Sequence, residues 1–77
     1  MSMKAQTKII EIISDILNNV DVNGSTSRQT TPEWNSLKHM EILFAIEEEF
    51  EIQYSVEEMV EISSVLDIVN SLVRREL

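Results

Sequence analysis

The sequence predicts an all-α protein, a four-helix bundle with a long first loop and a short third helix, folded as a single domain over residues 1–77. Three observations predict it. Apolar residues recur at helical spacing in three segments, over about 3–18, 36–50 and 64–76. Ser55 followed three residues later by Glu58 has the spacing of a capping box and opens a fourth, short segment over about 55–61. A polar tract over about 19–35 separates the first two helices, which makes it the long loop.

In the first segment Ile9, Ile10, Ile12, Ile13, Ile16, Leu17 and Val20 keep to one side at about 100° per residue, while Lys8, Glu11, Ser14 and Asp15 take the other. Asn18, Asn19, Asp21, Asn23, Gly24, Ser25, Thr26 and Ser27 then break the pattern, and polar residues persist to Pro32. A loop of this length is more often functional than idle. The second helix begins near Ser36, with Pro32 ahead of it and Asn35 or Ser36 placed to cap its first turn. After the short third helix, Ser64 and Asp67 repeat the capping-box spacing ahead of Val65, Leu66, Ile68, Val69, Leu72 and Val73, which share one arc. Arg74 and Arg75 suit the negative end of that last helix.

Seventy-seven residues lie near the lower limit at which one core sustains a fold, so a substrate cleft walled by its own scaffold is hard to build. Fourteen acids against six bases give a net charge of −8, which repels nucleic-acid phosphates and anionic lipid and attracts proteins with basic patches. The absence of cysteine leaves neither a disulfide framework nor a thiolate metal site, and suits a reducing compartment. No apolar run reaches the ~20 residues of a membrane span, and Met1 to Lys8 is too polar for a secretory signal. The expectation is a cytoplasmic monomer that binds neither nucleic acid nor membrane.

The second helix carries two apolar arcs. Ile42, Leu43, Ile46 and Phe50 form the core face. Leu37, Met40 and Phe44 form another, centred roughly 140° away and rimmed by Glu41, Glu47 and Glu48. Either this helix is central in the bundle or the second stripe stays exposed as a recognition surface, and the exposed reading is preferred. The ordinary alternative has Phe44 and Met40 covering the end of the third helix.

Ser36 sits where the loop meets a helix N-terminus, a place that favours a phosphate ester, although a simple cap is the commoner role of such a serine. Its surroundings separate the two. The stretch Trp34-Asn35-Ser36-Leu37-Lys38-His39-Met40 resembles the Asp-Ser-Leu attachment motif of the acyl and peptidyl carrier proteins. Glu47-Glu48-Glu49-Phe50 follows at the spacing usual in that family, and Ile62-Ser63-Ser64-Val65 is similar to its Ile-Thr-Thr-Val step into the last helix. The resemblance runs from about Ile9 to Leu72.

The resemblance implies that a phosphopantetheinyl transferase moves 4'-phosphopantetheine from coenzyme A onto Ser36, and that the arm's thiol then carries an acyl or related group as a thioester. It implies that Asn35, Leu37, Met40, Glu41, Phe44, Glu47 and Glu48 contact the transferase and the acyl-loading and acyl-transferring enzymes. Ser36 would need no base of its own, since the transferase supplies the activation. Asn35 departs from the family's Asp, keeping its shape and losing a charge. Fatty acyl, polyketide and aminoacyl cargo all stay open. The alternative is an unmodified, carrier-like adaptor that binds a protein through Leu37, Met40 and Phe44.

Other readings are set aside. Ser36 and His39 lie one turn apart, but a nucleophile and base also need an orienting acid and an oxyanion site, so no catalytic residue is expected. Asp21, Asn23 and Gly24 resemble a calcium loop, yet Gly24 comes two residues early and Pro32 stands where the bidentate Glu belongs, so no metal site is expected. Asn23-Gly24-Ser25 is a glycosylation sequon read as coincidence, and Trp34 is read as an anchor for the loop end.

Overall fold

The computed structural model describes residues 3–18 and 20–75. Its elements are α1 (Met3–Ile16), a 3-10 turn (Arg28–Thr30), α2 (Ser36–Phe50), α3 (Val56–Glu61) and α4 (Val65–Arg74), with no strand among the described residues.

The helix ends are fixed by local chemistry. α1 stops at Ile16, two residues before the expected end at residue 18, because Asn18 turns left-handed (φ 63°). Asn tolerates that conformation better than most side chains and so ends helices. The Leu17 N–H still reaches the Ile13 carbonyl at 2.9 Å, so the apolar stripe extends one residue beyond the regular helix. α2 is capped by Asn35, whose Oδ1 accepts the Lys38 N–H at 2.9 Å, leaving Ser36 as the first helical residue. Its other end closes on Glu51 in the left-handed region (φ 54°, ψ 49°), and the Ile52 N–H returns to the Glu47 carbonyl at 3.1 Å.

α3 opens with the full capping box expected, Ser55 Oγ accepting the Glu58 N–H at 3.1 Å and Glu58 Oε1 accepting the Ser55 N–H at 3.0 Å. Ser55 is thus the cap and the helix starts at Val56. Ser64 likewise caps α4 by accepting the Asp67 N–H at 3.1 Å. The reciprocal half of that box is shifted, since the Asp67 carboxylate accepts from the N–H (2.9 Å) and hydroxyl (3.2 Å) of Ser63 rather than from Ser64. The same corner is also stitched to the long loop. Arg28 donates its N–H to the Ser63 carbonyl at 2.9 Å, and Val65 donates to Thr26 at 3.0 Å, forming an isolated antiparallel bridge between Ser27 and Ser64. The expected end of the last helix at residue 76 lies outside the described residues.

Ile9, Ile13 and Leu17 from the first helix meet Ile42, Leu43 and Ile46 of α2 and Val65, Ile68 and Leu72 of α4 in one buried cluster, completed by Trp34, Tyr54 and Ile62. α1 packs against both α2 and α4, whereas α3 has no fully buried residue. The loop is a packed part of this fold. Thr26, Thr31 and Trp34 are buried, and Asn23 and Thr26 bond each other's neighbourhood through the Asn23 N–H to Thr26 Oγ1 contact at 2.9 Å.

Candidate functional site

The N-terminus of α2, the stripe that runs along it and the α3 surface form the candidate site. Ser36 is exposed as the first residue of α2. Asn35 takes the capping role, so the Ser36 side chain is not spent on closing the helix. The first N–H groups of any helix lack intrahelical acceptors, and the macrodipole adds partial positive charge there, so an anionic ester on Ser36 would be stabilised locally.

Behind Ser36 the chain is rigidly built. The Trp34 indole N–H donates to His39 Nδ1 at 3.0 Å, and His39 Nε2 lies 2.9 Å from the Met59 carbonyl. Since Nδ1 must accept from the indole, Nε2 carries the hydrogen and donates to Met59, which makes the ring neutral. Burial is the main force that lowers the His39 pKa from its ordinary 6.5; the Met59 carbonyl opposes this and the Arg28 charge adds to it. With both ring nitrogens committed, His39 has no free position from which to deprotonate Ser36.

The two faces of α2 separate as the periodicity predicts. Ile42, Leu43 and Ile46 are fully buried and Phe50 is half-buried against the core. On the other arc Leu37 (68% exposed) and Phe44 (55%) face solvent, while Met40 is half-buried. These fractions favour a stripe open to solvent over one folded beneath α3. Glu41 and Glu48 are exposed, and Glu41 Oε2 lies 3.5 Å from Lys38 Nζ. Glu47 differs from them: half-buried, it accepts the Tyr54 N–H at 2.7 Å and so holds the turn after α2.

Two residues escaped the sequence reading. Val56 and Val60 are the most exposed large apolar side chains described, at 74% and 77%, one turn apart on α3. Their i, i+4 spacing in so short a helix was the available signal. Among the described residues no group of three or more His, Cys, Asp or Glu side chains is placed to hold a metal ion. A polar cleft between α3 and α4 is lined by Glu58, Glu61, Ile62, Asp67, Asn70 and Arg74, none of them an expected site residue. No described helix is long and apolar enough to cross a membrane.

No family model, curated protein or solved structure matches the chain.

Proposed function

We propose that this chain is a carrier protein, modified on Ser36 with 4'-phosphopantetheine and recognised through the exposed stripe of α2. The observation that carries the reading is the division of labour at one helix start: Asn35 caps α2, and the adjacent Ser36 presents an exposed hydroxyl beside exposed Leu37. With Asn35 as the cap, the Ser36 hydroxyl is left available for an ester.

In the loading step the Ser36 oxygen bonds to the phosphorus of coenzyme A that bears the pantetheine, and adenosine bisphosphate leaves. The hydroxyl proton passes to a base on the transferase, because His39, one turn away, has both nitrogens engaged. When bound, the group supplies a flexible arm whose terminal thiol holds an acyl or related cargo as a thioester. This chain's part is to offer the hydroxyl, to cradle the phosphodiester at the N-terminus of α2 and to dock successive enzymes.

Docking rests on Leu37, Met40 and Phe44 with Glu41 and Glu48 at the rim, a weak apolar contact guided by charge. The net charge of −8 favours enzymes with basic patches and raises encounter rates without tight binding, which suits hand-off between partners in the cytosol. Asn35 matches the resemblance in shape and in capping but removes one negative charge beside the modified residue.

The test is transfer from coenzyme A that carries a fluorescent group on its thiol, catalysed by a broad-specificity transferase. The parent chain takes up label and Ser36→Ala takes up none. Equal labelling of the two contradicts the site. No labelling of either by several transferases, with partner binding intact in Ser36→Ala, replaces the carrier by an unmodified adaptor using the same stripe.

A further inference from the structure

Trp34 and His39 bracket Asn35 and Ser36, and their side chains meet in the buried layer beneath that junction. The groups around the imidazole fall into two kinds. On the α3 side the Met59 carbonyl accepts from Nε2 at 2.9 Å, and it accepts equally well from an imidazolium. On the loop side the indole N–H points at the Nδ1 lone pair at 3.0 Å, and Arg28 of the 3-10 turn acts on the ring as a second positive group. A proton on Nδ1 would face one donor with another in a site where Trp34 is 2% and His39 5% exposed.

We propose that the Trp34–His39 bond is a proton-operated latch: with a neutral ring it fastens the loop end to α2 immediately ahead of Ser36, and protonation of the ring releases the loop while α3 stays attached.

The asymmetry follows from which partners tolerate the charge. The indole N–H and the Arg28 guanidinium, both on the loop, repel an imidazolium, whereas the Met59 carbonyl on α3 attracts it. The remaining charged groups on these elements do not counter this. Lys38 on α2 is within 3.5 Å of Glu41, and Glu58 on α3 is bonded to Arg75 at 2.8 Å. Glu57 and Glu61 are exposed on α3, and Glu33 is exposed in the loop. Because the Glu58 carboxyl stays ionised down to about 2, that anchor of α3 remains in place throughout the range in which a histidine titrates. The latch belongs to the fold and holds whether or not Ser36 is modified.

The chain has one Trp and one His, so both signals are unambiguous. In the full chain, the indole N–H and the imidazole resonances are followed by NMR from about pH 8 to about pH 5, the range in which histidine changes charge. The two titrate together with a midpoint below 6.5, and amide protection is lost in acid over 31–36 before it is lost over 56–61. Trp34→Phe removes the opposing donor and moves the His39 midpoint up. Arg28→Gln, which leaves the buried layer intact, moves it in the same direction and serves where Trp34→Phe fails to fold. A midpoint at or above 6.5, an indole signal that ignores the His39 titration, or loss of α3 protection ahead of the loop overturns the latch.

Discussion

The Glu58 carboxyl is held at about 2, against an ordinary 4.5, chiefly because the Arg75 guanidinium donates to Oε1 at 2.8 Å and next because the Ser55 N–H donates at 3.0 Å. A lowered carboxyl value stabilises the fold above the unfolded value, and that contribution drains away as pH falls from about 4.5 to about 2. Glu58→Gln should flatten the thermal unfolding midpoint over that window while lowering stability at neutral pH by about 1 kcal/mol, as suits a partly exposed pair. His39 has the same sign for a different reason. Burial lowers its value, so the unfolded chain binds the proton more readily and stability falls as pH drops below 6.5, until the folded value is passed. Unfolding midpoints of His39→Gln should lack this loss near pH 6. Tyr54 shows a third kind of contact. Ser71 Oγ donates to the Ile68 carbonyl at 2.7 Å, so the Tyr54 hydroxyl must be the donor to Ser71, also at 2.7 Å. Tyr54→Phe should lose about 1 kcal/mol in denaturant titration, since Ser71 keeps its own acceptor.

Helix starts were legible in the sequence because capping is a local, short-range code. Ser55 and Ser64 cap α3 and α4 from positions that the spacing to Glu58 and Asp67 marks out, whereas for α2 the sequence left Asn35 and Ser36 both open and the structure makes Asn35 the cap. Helix ends were less legible. Asn18 and Glu51 stop α1 and the second helix by adopting left-handed backbone, and nothing distinguishes Glu51 from its three glutamate predecessors before its φ of 54° is seen. Glu51→Val should therefore cost about 1–2 kcal/mol in unfolding free energy, whereas Glu51→Gly should not destabilise, because any Cβ resists that conformation, a β-branched one most, and glycine has none. The two arcs of α2 were legible from periodicity, down to buried Ile42, Leu43 and Ile46 opposite exposed Leu37 and Phe44. What periodicity could not reveal was that Glu47 turns back to the Tyr54 N–H, that the loop is stitched to α4 through Ser27 and Ser64, or that Arg75 spans from α4 to Glu58, the Gln53 carbonyl and the Tyr54 ring. Those contacts join residues distant in sequence, and their partners are set only when the helices pack.

Taken together, α1, α2 and α4 supply the buried cluster, while α3 is held by its capping box, by Arg75 and by the His39–Met59 contact, and presents Val56 and Val60 outward. Of the large apolar side chains left exposed, Leu37 and Phe44 lie on α2, Val56 and Val60 on α3, and Leu66 and Val73 on α4. With a net charge of −8, attraction to a basic enzyme should weaken as salt rises. Glu41→Gln combined with Glu48→Gln should weaken transferase binding and flatten its salt dependence with no change in unfolding midpoint, whereas Glu47→Gln should lower stability through the Tyr54 N–H contact. Unchanged low-salt binding in the double variant would count against an acidic rim. The most direct measurement is the intact mass of the purified chain after incubation with coenzyme A, magnesium and a phosphopantetheinyl transferase, beside Ser36→Ala. The carrier reading predicts a gain of one phosphopantetheine in the parent, localised to Ser36 by fragmentation, and none in the variant; an unchanged parent mass with several transferases, or a gain that persists in Ser36→Ala, would contradict it.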